Sequence, residues 1–178
     1  MHIRPLLPRD WEDVAAITRE AIGLNVLDQE LLTWQTWDER FLPDQRLVAA
    51  SREGRITGWA ALELVSQRPS WSGVGAVSIY VSAGFRGQGF GSRLLAGLVA
   101  SSEEAGYWTI QAHVLPHNTA ALHLLADYGF EVVGTRQRIC RAGDAWHDAV
   151  LLDRRSQVVS PGVRPESDPT TQEIPEAS

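Results

Sequence analysis

Apolar residues recur along this 178-residue chain with two periods, one strand-like and one helical, and the switches between them mark out its elements. Residues 2–7 predict a short first strand ended by Pro8. Asp10 is placed to N-cap a helix running to about Glu20, with Trp11, Val14, Ala15 and Ile17 on one face. After a loop at 22–27, a patch rich in leucine and tryptophan (Leu31, Leu32, Trp34, Trp37) predicts a second helix from Asp28 to about Arg40. Residues 46–51, a turn at Glu53-Gly54 and residues 55–65 predict an antiparallel hairpin. A loop at 66–75 leads to a β-branched run (Val77, Ile79, Val81), which reads as a buried strand. Then come a helix from about Gln88 to Ala105, stopped by Gly106, and a strand at 107–115. A short helix within 116–129 and a last hairpin, 130–142 with 145–155, close the pattern. The order is β-α-α-β-β-β-α-β-α-β-β, read as a mixed sheet with helices on both faces.

The central strand breaks at Ser82-Ala83-Gly84, and Gly87, Gly89 and Gly91 then lead into the helix. A glycine-rich turn opening a helix aims backbone N–H groups at one spot, where the helix dipole favours an anion and no side chain obstructs a phosphate. The plain alternative is a glycine turn with no ligand. A P-loop would need Gly-Lys-Ser/Thr, and no lysine is present in the turn. A dinucleotide fingerprint would need G-x-G-x-x-G on a first strand, whereas the glycines here run G-x-G-x-G in mid-chain.

Composition narrows the function classes. The length suits one domain with a substantial core. A net charge of −6 argues against a nucleic-acid surface. The single cysteine, Cys140, permits no intrachain disulfide and suits a reducing cytoplasm. No apolar run has the length of a membrane span, and the N-terminus lacks the apolar core of a signal peptide. From residue 157 the chain changes character: it holds four of the nine prolines and half of the net charge, with few large apolar groups. Residues 1–156 are therefore expected to form the domain and 157–178 a disordered acidic tail. His2, His113, His117, His123 and His147 do not fall at metal-ligand spacing with a carboxylate, so no metal is implied.

The segment RGQGFG resembles the R/Q-x-x-G-x-G/A signature of the GNAT-type N-acetyltransferases, with Arg86, Gly89 and Gly91 at the signature positions. HNTAALHLLADYGF resembles the same family's N-x-x-A…G-F segment, and the likeness runs from about Ile3 to Arg155. The resemblance implies the GNAT fold, a mostly antiparallel sheet of about seven strands whose central strand splays from its neighbour. It implies acetyl-CoA as cosubstrate, its pyrophosphate held by the turn Arg86, Gly87, Gln88, Gly89, Phe90, Gly91 and Ser92. Backbone groups of Ile79, Tyr80 and Val81, with Asn118, would bind the pantetheine arm, and a free strand amide would stabilise the oxyanion. Relatives are commonly homodimers.

Four further segments, including GWAALELVSQRPSWSGVG and RAGDAWHDAVLLDRR, are similar to the phosphinothricin and methionine-sulfoximine acetyltransferases. That branch acetylates the amine of small amino-acid analogues. The likeness implies Arg68, Trp71 and His147 as acceptor contacts, Arg68 through a bidentate guanidinium pair. Two departures stand out. The branch's strand glutamate, a base, is Ala76 here, and its Tyr or His general acid is Leu125. If 55–65 and 74–82 pair as a hairpin, Glu63 lies opposite or near Ala76 on the same face. A glutamate in an apolar run needs a partner or a task, and burial would raise its pKa towards that of a base for an ammonium. Glu63 is thus the candidate base, His113 the fallback, and catalysis by positioning alone a third possibility. Cys140, without a base beside it, reads as structural. The rival functions are protein or peptide N-acetylation and a sensor that binds acyl-CoA without turnover. Trp34 and Trp37 read as helix-to-sheet packing, with acceptor contact the alternative.

Overall fold

The structure, a computed structural model, describes residues 1–21, 33–142 and 145–161, without the side chain of Ala142. Its elements follow the expected order: β1 (His2–Pro5), α1 (Trp11–Ala21), α2 (Trp34–Arg40), β2 (Phe41–Ala50), β3 (Ile56–Leu64), β4 (Val74–Val81), α3 (Phe90–Glu104), β5 (Thr109–Val114), α4 (Thr119–Asp127), β6 (Glu131–Ala142) and β7 (Ala145–Arg155). The loop expected at 22–27, the first residues of the second helix and the tail from residue 162 lie outside the described residues.

The strands form one seven-stranded sheet in the order β1-β2-β3-β4-β5-β7-β6. Every neighbouring pair is antiparallel except β4 and β5, which run parallel. Two apolar clusters hold helices to its two faces. On one side α3 lays Leu94, Leu95 and Leu98, all fully buried, on Leu62, Ile110 and Leu152 of the strands. Burying each such leucine contributes about 1.5–3 kcal/mol. On the other side Val14 and Ile17 of α1 and Trp37 of α2 pack on Val48, Trp59 and Ala61. β3 is buried from Ile56 to Leu62 because both its faces are covered, which explains its near-continuous apolar run.

Trp34 and Trp37 are packing residues. Trp37 is fully buried, and the pair stacks at 5.9 Å in a group that also includes Trp11, Phe41 and Trp59. Asp10 departs from its expected N-cap role. It ends a 3-10 turn at Pro8–Asp10, and its carboxylate accepts from the Leu7 amide (2.8 Å) and from Arg4 (2.7 and 2.7 Å), tying α1 back to β1. The glycine-rich turn delays α3 to Phe90, because Gly87 and Gly89 sit at φ +71° and +81° and cannot join a right-handed helix.

Candidate active site

β4 and β5 pair only from Val74 with Thr109 to Ala76 with Gln111, although both strands continue, to Val81 and Val114. Beyond Ala76 they separate. The resulting cleft of about 1480 Å³ is lined by Val77 to Val81 on one side and by Ala112, His113 and Val114 on the other. This splay places backbone donors and acceptors of a central strand at a cavity instead of in a ladder. The cleft exceeds the roughly 300–1,000 Å³ of an ordinary small-molecule pocket, leaving room for an extended nucleotide thioester and an acceptor together.

The glycine turn closes one end. Gly89 is the N-cap of α3 and has no side chain to cap it, so the first-turn amides of Phe90, Gly91 and Ser92 receive no capping oxygen. The first helical bond runs from the Arg93 amide to the Gly89 carbonyl, 3.2 Å. Arg86 donates from Nε to the Val81 carbonyl (3.0 Å), and its Nη2 lies 3.8 Å from Glu20. The Glu20 carboxylate, at the end of α1, also accepts from the Ser82 hydroxyl (3.0 Å) and the Ala83 amide (2.5 Å), anchoring the turn. These groups fit a pyrophosphate: undirected helix amides, a cation and open space where a Cβ at Gly87 or Gly89 would meet nothing. Of the residues expected here, Arg86, Gly87, Gly89, Gly91 and Ser92 line the cleft, whereas Gln88 and Phe90 do not. Gln88 Nε2 bonds the Gly84 carbonyl (2.9 Å), and Phe90 is buried in the α3 cluster. Asn118 lines the cleft and N-caps α4, accepting from the Ala121 amide at 3.2 Å.

At the other end, β3 and β4 pair with Glu63 directly opposite Ala76. Glu63 lines the cleft. Its apolar context left two explanations, a partner or a task, and it has a partner: Arg40, at the end of α2, holds it bidentate at 2.7 and 2.9 Å. The carboxylate is therefore ion-paired, not isolated in an apolar pocket as the sequence suggested. Leu125, 2 % exposed, belongs to the core and offers no acid. His113 lines the cleft with its Nε2 3.4 Å from Nη1 of Arg136. Cys140 donates its thiol to the His147 carbonyl (3.3 Å) and borders the cleft beside Arg141 and Trp146. Arg68 and Trp71 flank a 3-10 turn ahead of β4, and with His147 of β7 they lie outside the cleft lining.

Arg40, Glu20, Arg136, Arg141 and Trp146 did not stand out in the sequence. Arg40 and Glu63 are 23 positions apart, and Arg136 and His113 are also 23 apart, so no local spacing links them. Among the described residues no group of three or more His, Cys, Asp or Glu is placed to hold a metal, and no helix is long and apolar enough to cross a membrane.

A splayed parallel pair feeding a glycine turn and a helix N-terminus defines a cleft suited to an extended ligand with an anionic end. Residues 11–130 match the sequence model of the Acetyltransferase (GNAT) family. The chain belongs to that family: it is an acetyl-CoA-dependent N-acetyltransferase. It is 28 % identical over 160 residues to YwnH of Bacillus subtilis, provisionally named a phosphinothricin acetyltransferase, covering 86 % of this chain and 98 % of that one. It is 26 % identical over 150 residues to the L-methionine sulfoximine/L-methionine sulfone acetyltransferase of Pseudomonas aeruginosa, covering 80 % of this chain and 87 % of that one. A solved phosphinothricin acetyltransferase of Sinorhizobium meliloti in complex with acetyl-CoA superposes with a TM-score of 0.80 at 22 % identity, over 93 % of this chain and 96 % of that one.

Proposed function

We propose that this enzyme acetylates the primary amine of a small amino acid or a toxic amino-acid analogue, such as phosphinothricin or methionine sulfoximine. The names of the YwnH and Pseudomonas aeruginosa relatives support that acceptor class. The observation that carries the reading is the carboxylate of Glu63 in the cleft, cross-strand from Ala76 at the start of the splay.

In this reading, acetyl-CoA supplies an activated thioester, and the chain supplies binding, orientation and a proton acceptor. Arg86, with Gly87, Gly89, Gly91 and Ser92 of the turn, holds the pyrophosphate at the dipole of α3. Ile79, Tyr80 and Val81 present backbone groups to the pantetheine arm, with Asn118 on the facing helix. A strand amide there also donates to the thioester oxygen as charge develops on it. Glu63 Oε accepts the proton of the acceptor ammonium, directly or through a water, and Arg40 fixes its orientation. His113, on the facing strand, is the second candidate for that proton. Arg68, Trp71 and His147 are assigned to the outer part of the acceptor site and given no proton to move. The reading places the enzyme in the cytoplasm and makes it a homodimer, the latter checked by light scattering of the purified protein.

The test is CoA release from acetyl-CoA with phosphinothricin, methionine sulfoximine, ordinary amino acids and a basic peptide. Turnover confined to small amino acids or their analogues supports the reading. Turnover of the peptide alone replaces it with protein acetylation. Tight acetyl-CoA binding without any turnover replaces it with a sensor, for which Ala76 and Leu125 in place of acid and base would be the reason.

A further inference from the structure

The sheet face opposite α3 and α4 can be followed residue by residue. Tyr80 and Trp59 pack into the α1 cluster, and Glu63, Ala76 and Ser78 share their parity on β3 and β4. On β5, Ile110, Ala112 and Val114 belong to the α3 cluster, so His113 points to the opposite face. On β7, Val150 and Leu152 belong to the α3 cluster, so Ala149 shares the face of His113, and its partner Arg136 on β6 does too. Among the described residues α1 packs on β3 and β4, and α2 on β2, so the main helix packing on this face stops at β4. One face thus carries Glu63 at one side of the splay and His113 with Arg136 at the other.

The charges on this surface are unequally matched. Glu63 is the one carboxylate among the residues lining the cleft, and Arg40 already holds both its oxygens. Arg136 carries a planar guanidinium, and its observed hydrogen-bond partner among the described residues is an imidazole nitrogen, not an anion. A guanidinium at a cleft wall whose observed partner is an imidazole and not a carboxylate is a receptor for an oxyanion. His113 lies two residues beyond Gln111, where β4–β5 pairing ends. Glu63 and the His113–Arg136 pair stand at opposite sides of the splay, so an acceptor whose amine faces Glu63 turns its far end towards Arg136.

We propose that Arg136, braced against His113, binds a distal acid group of the acceptor, so that the enzyme selects amino acids with a phosphinate, phosphonate or carboxylate on the side chain. This rests on the function proposed above and names the specificity-determining residue of the same site. Acetyl-CoA binds at the glycine turn, on other residues, so its KM stays unchanged when Arg136 is replaced.

The experiment compares phosphinothricin, with a distal phosphinate, and methionine sulfone, whose distal group is neutral, in wild type, Arg136→Gln and Arg136→Lys. Arg136→Gln is expected to lower kcat/KM for phosphinothricin about ten- to hundredfold, mainly through KM, as loss of hydrogen bonds to a charged group implies. For methionine sulfone the change stays within about twofold, and Arg136→Lys restores part of the phosphinothricin rate. An equal loss on both acceptors, or no loss on either, overturns the proposal. Calorimetric binding of phosphinothricin to the full chain with CoA present reads the same site without turnover. If wild type acetylates neither compound nor any ordinary amino acid, the function proposed above fails. If Arg136→Gln then binds phosphinothricin as tightly as wild type, this inference fails separately.

Discussion

Replacing Glu63 with glutamine keeps the side-chain volume and removes only its charge and basicity. In the structure the carboxylate takes two hydrogen bonds from Arg40, at 2.7 and 2.9 Å, with 21 % of the glutamate and 30 % of the arginine side chain exposed. Partial exposure screens the pair, so its contribution to stability is closer to a surface bridge than to a buried one, about 1 kcal/mol. Glutamine still accepts one of the two bonds, so the melting temperature is expected to fall by only a few degrees. The kinetic effect is expected to be far larger. A positioned general base contributes roughly 10²- to 10⁴-fold, so kcat should drop by that factor, equivalent to about 3–5 kcal/mol of barrier. The assay is initial-rate CoA release at saturating acetyl-CoA and acceptor, followed across pH. Arg40→Gln separates the roles: it removes the same ion pair yet leaves the base in place, so it should retain much more activity than Glu63→Gln. Activity of Glu63→Gln within twofold of wild type at every pH would refute the assignment and leave Glu63 as a structural partner of Arg40.

Three other outcomes test the architecture. Gly89→Ala places a Cβ at φ +81° in open space, so strain of about 1 kcal/mol should accompany a severalfold rise in KM for acetyl-CoA, read by thermal melts and initial rates. Gly73→Ala meets the Trp108 ring at 2.1 Å with φ +86°. It should destabilise the chain by more than about 2 kcal/mol in urea unfolding and shift the start of β4. The Arg4 guanidinium, helped by the Leu7 amide, holds the Asp10 carboxyl below the usual carboxylate range. A depressed carboxylate adds stability above the unfolded pKa of about 3.9 and loses it as pH falls through the folded value. Asp10→Asn should therefore cost about 1–2 kcal/mol at pH 7, and urea midpoints of variant and wild type should converge below about pH 3.9.

What the sequence determined by itself is the order of the elements, the glycine turn ahead of α3 and, given that β3 pairs with β4, the placement of Glu63 opposite or near Ala76. Each depends on local rules: the apolar period, the glycines that permit positive φ, and the alternation of side chains across paired strands. The tertiary structure decided which charged side chains meet. Arg40 reaches Glu63 because α2 runs directly into β2, whose first residue Phe41 pairs with Glu63, and it turns an apparently isolated carboxylate into half of an ion pair. The parity of Arg136 was hidden for another reason. β6 shifts register against β7 between Arg136 and Cys140, with Arg138 at φ +48°, and such a bulge changes which residues face the cleft. Arg68, Trp71 and His147, chosen by likeness of motif, fall outside the lining. A motif records residue order, but which side chains share a cleft follows from strand register, splay and the reach of long side chains, which are fixed only when the whole sheet has formed.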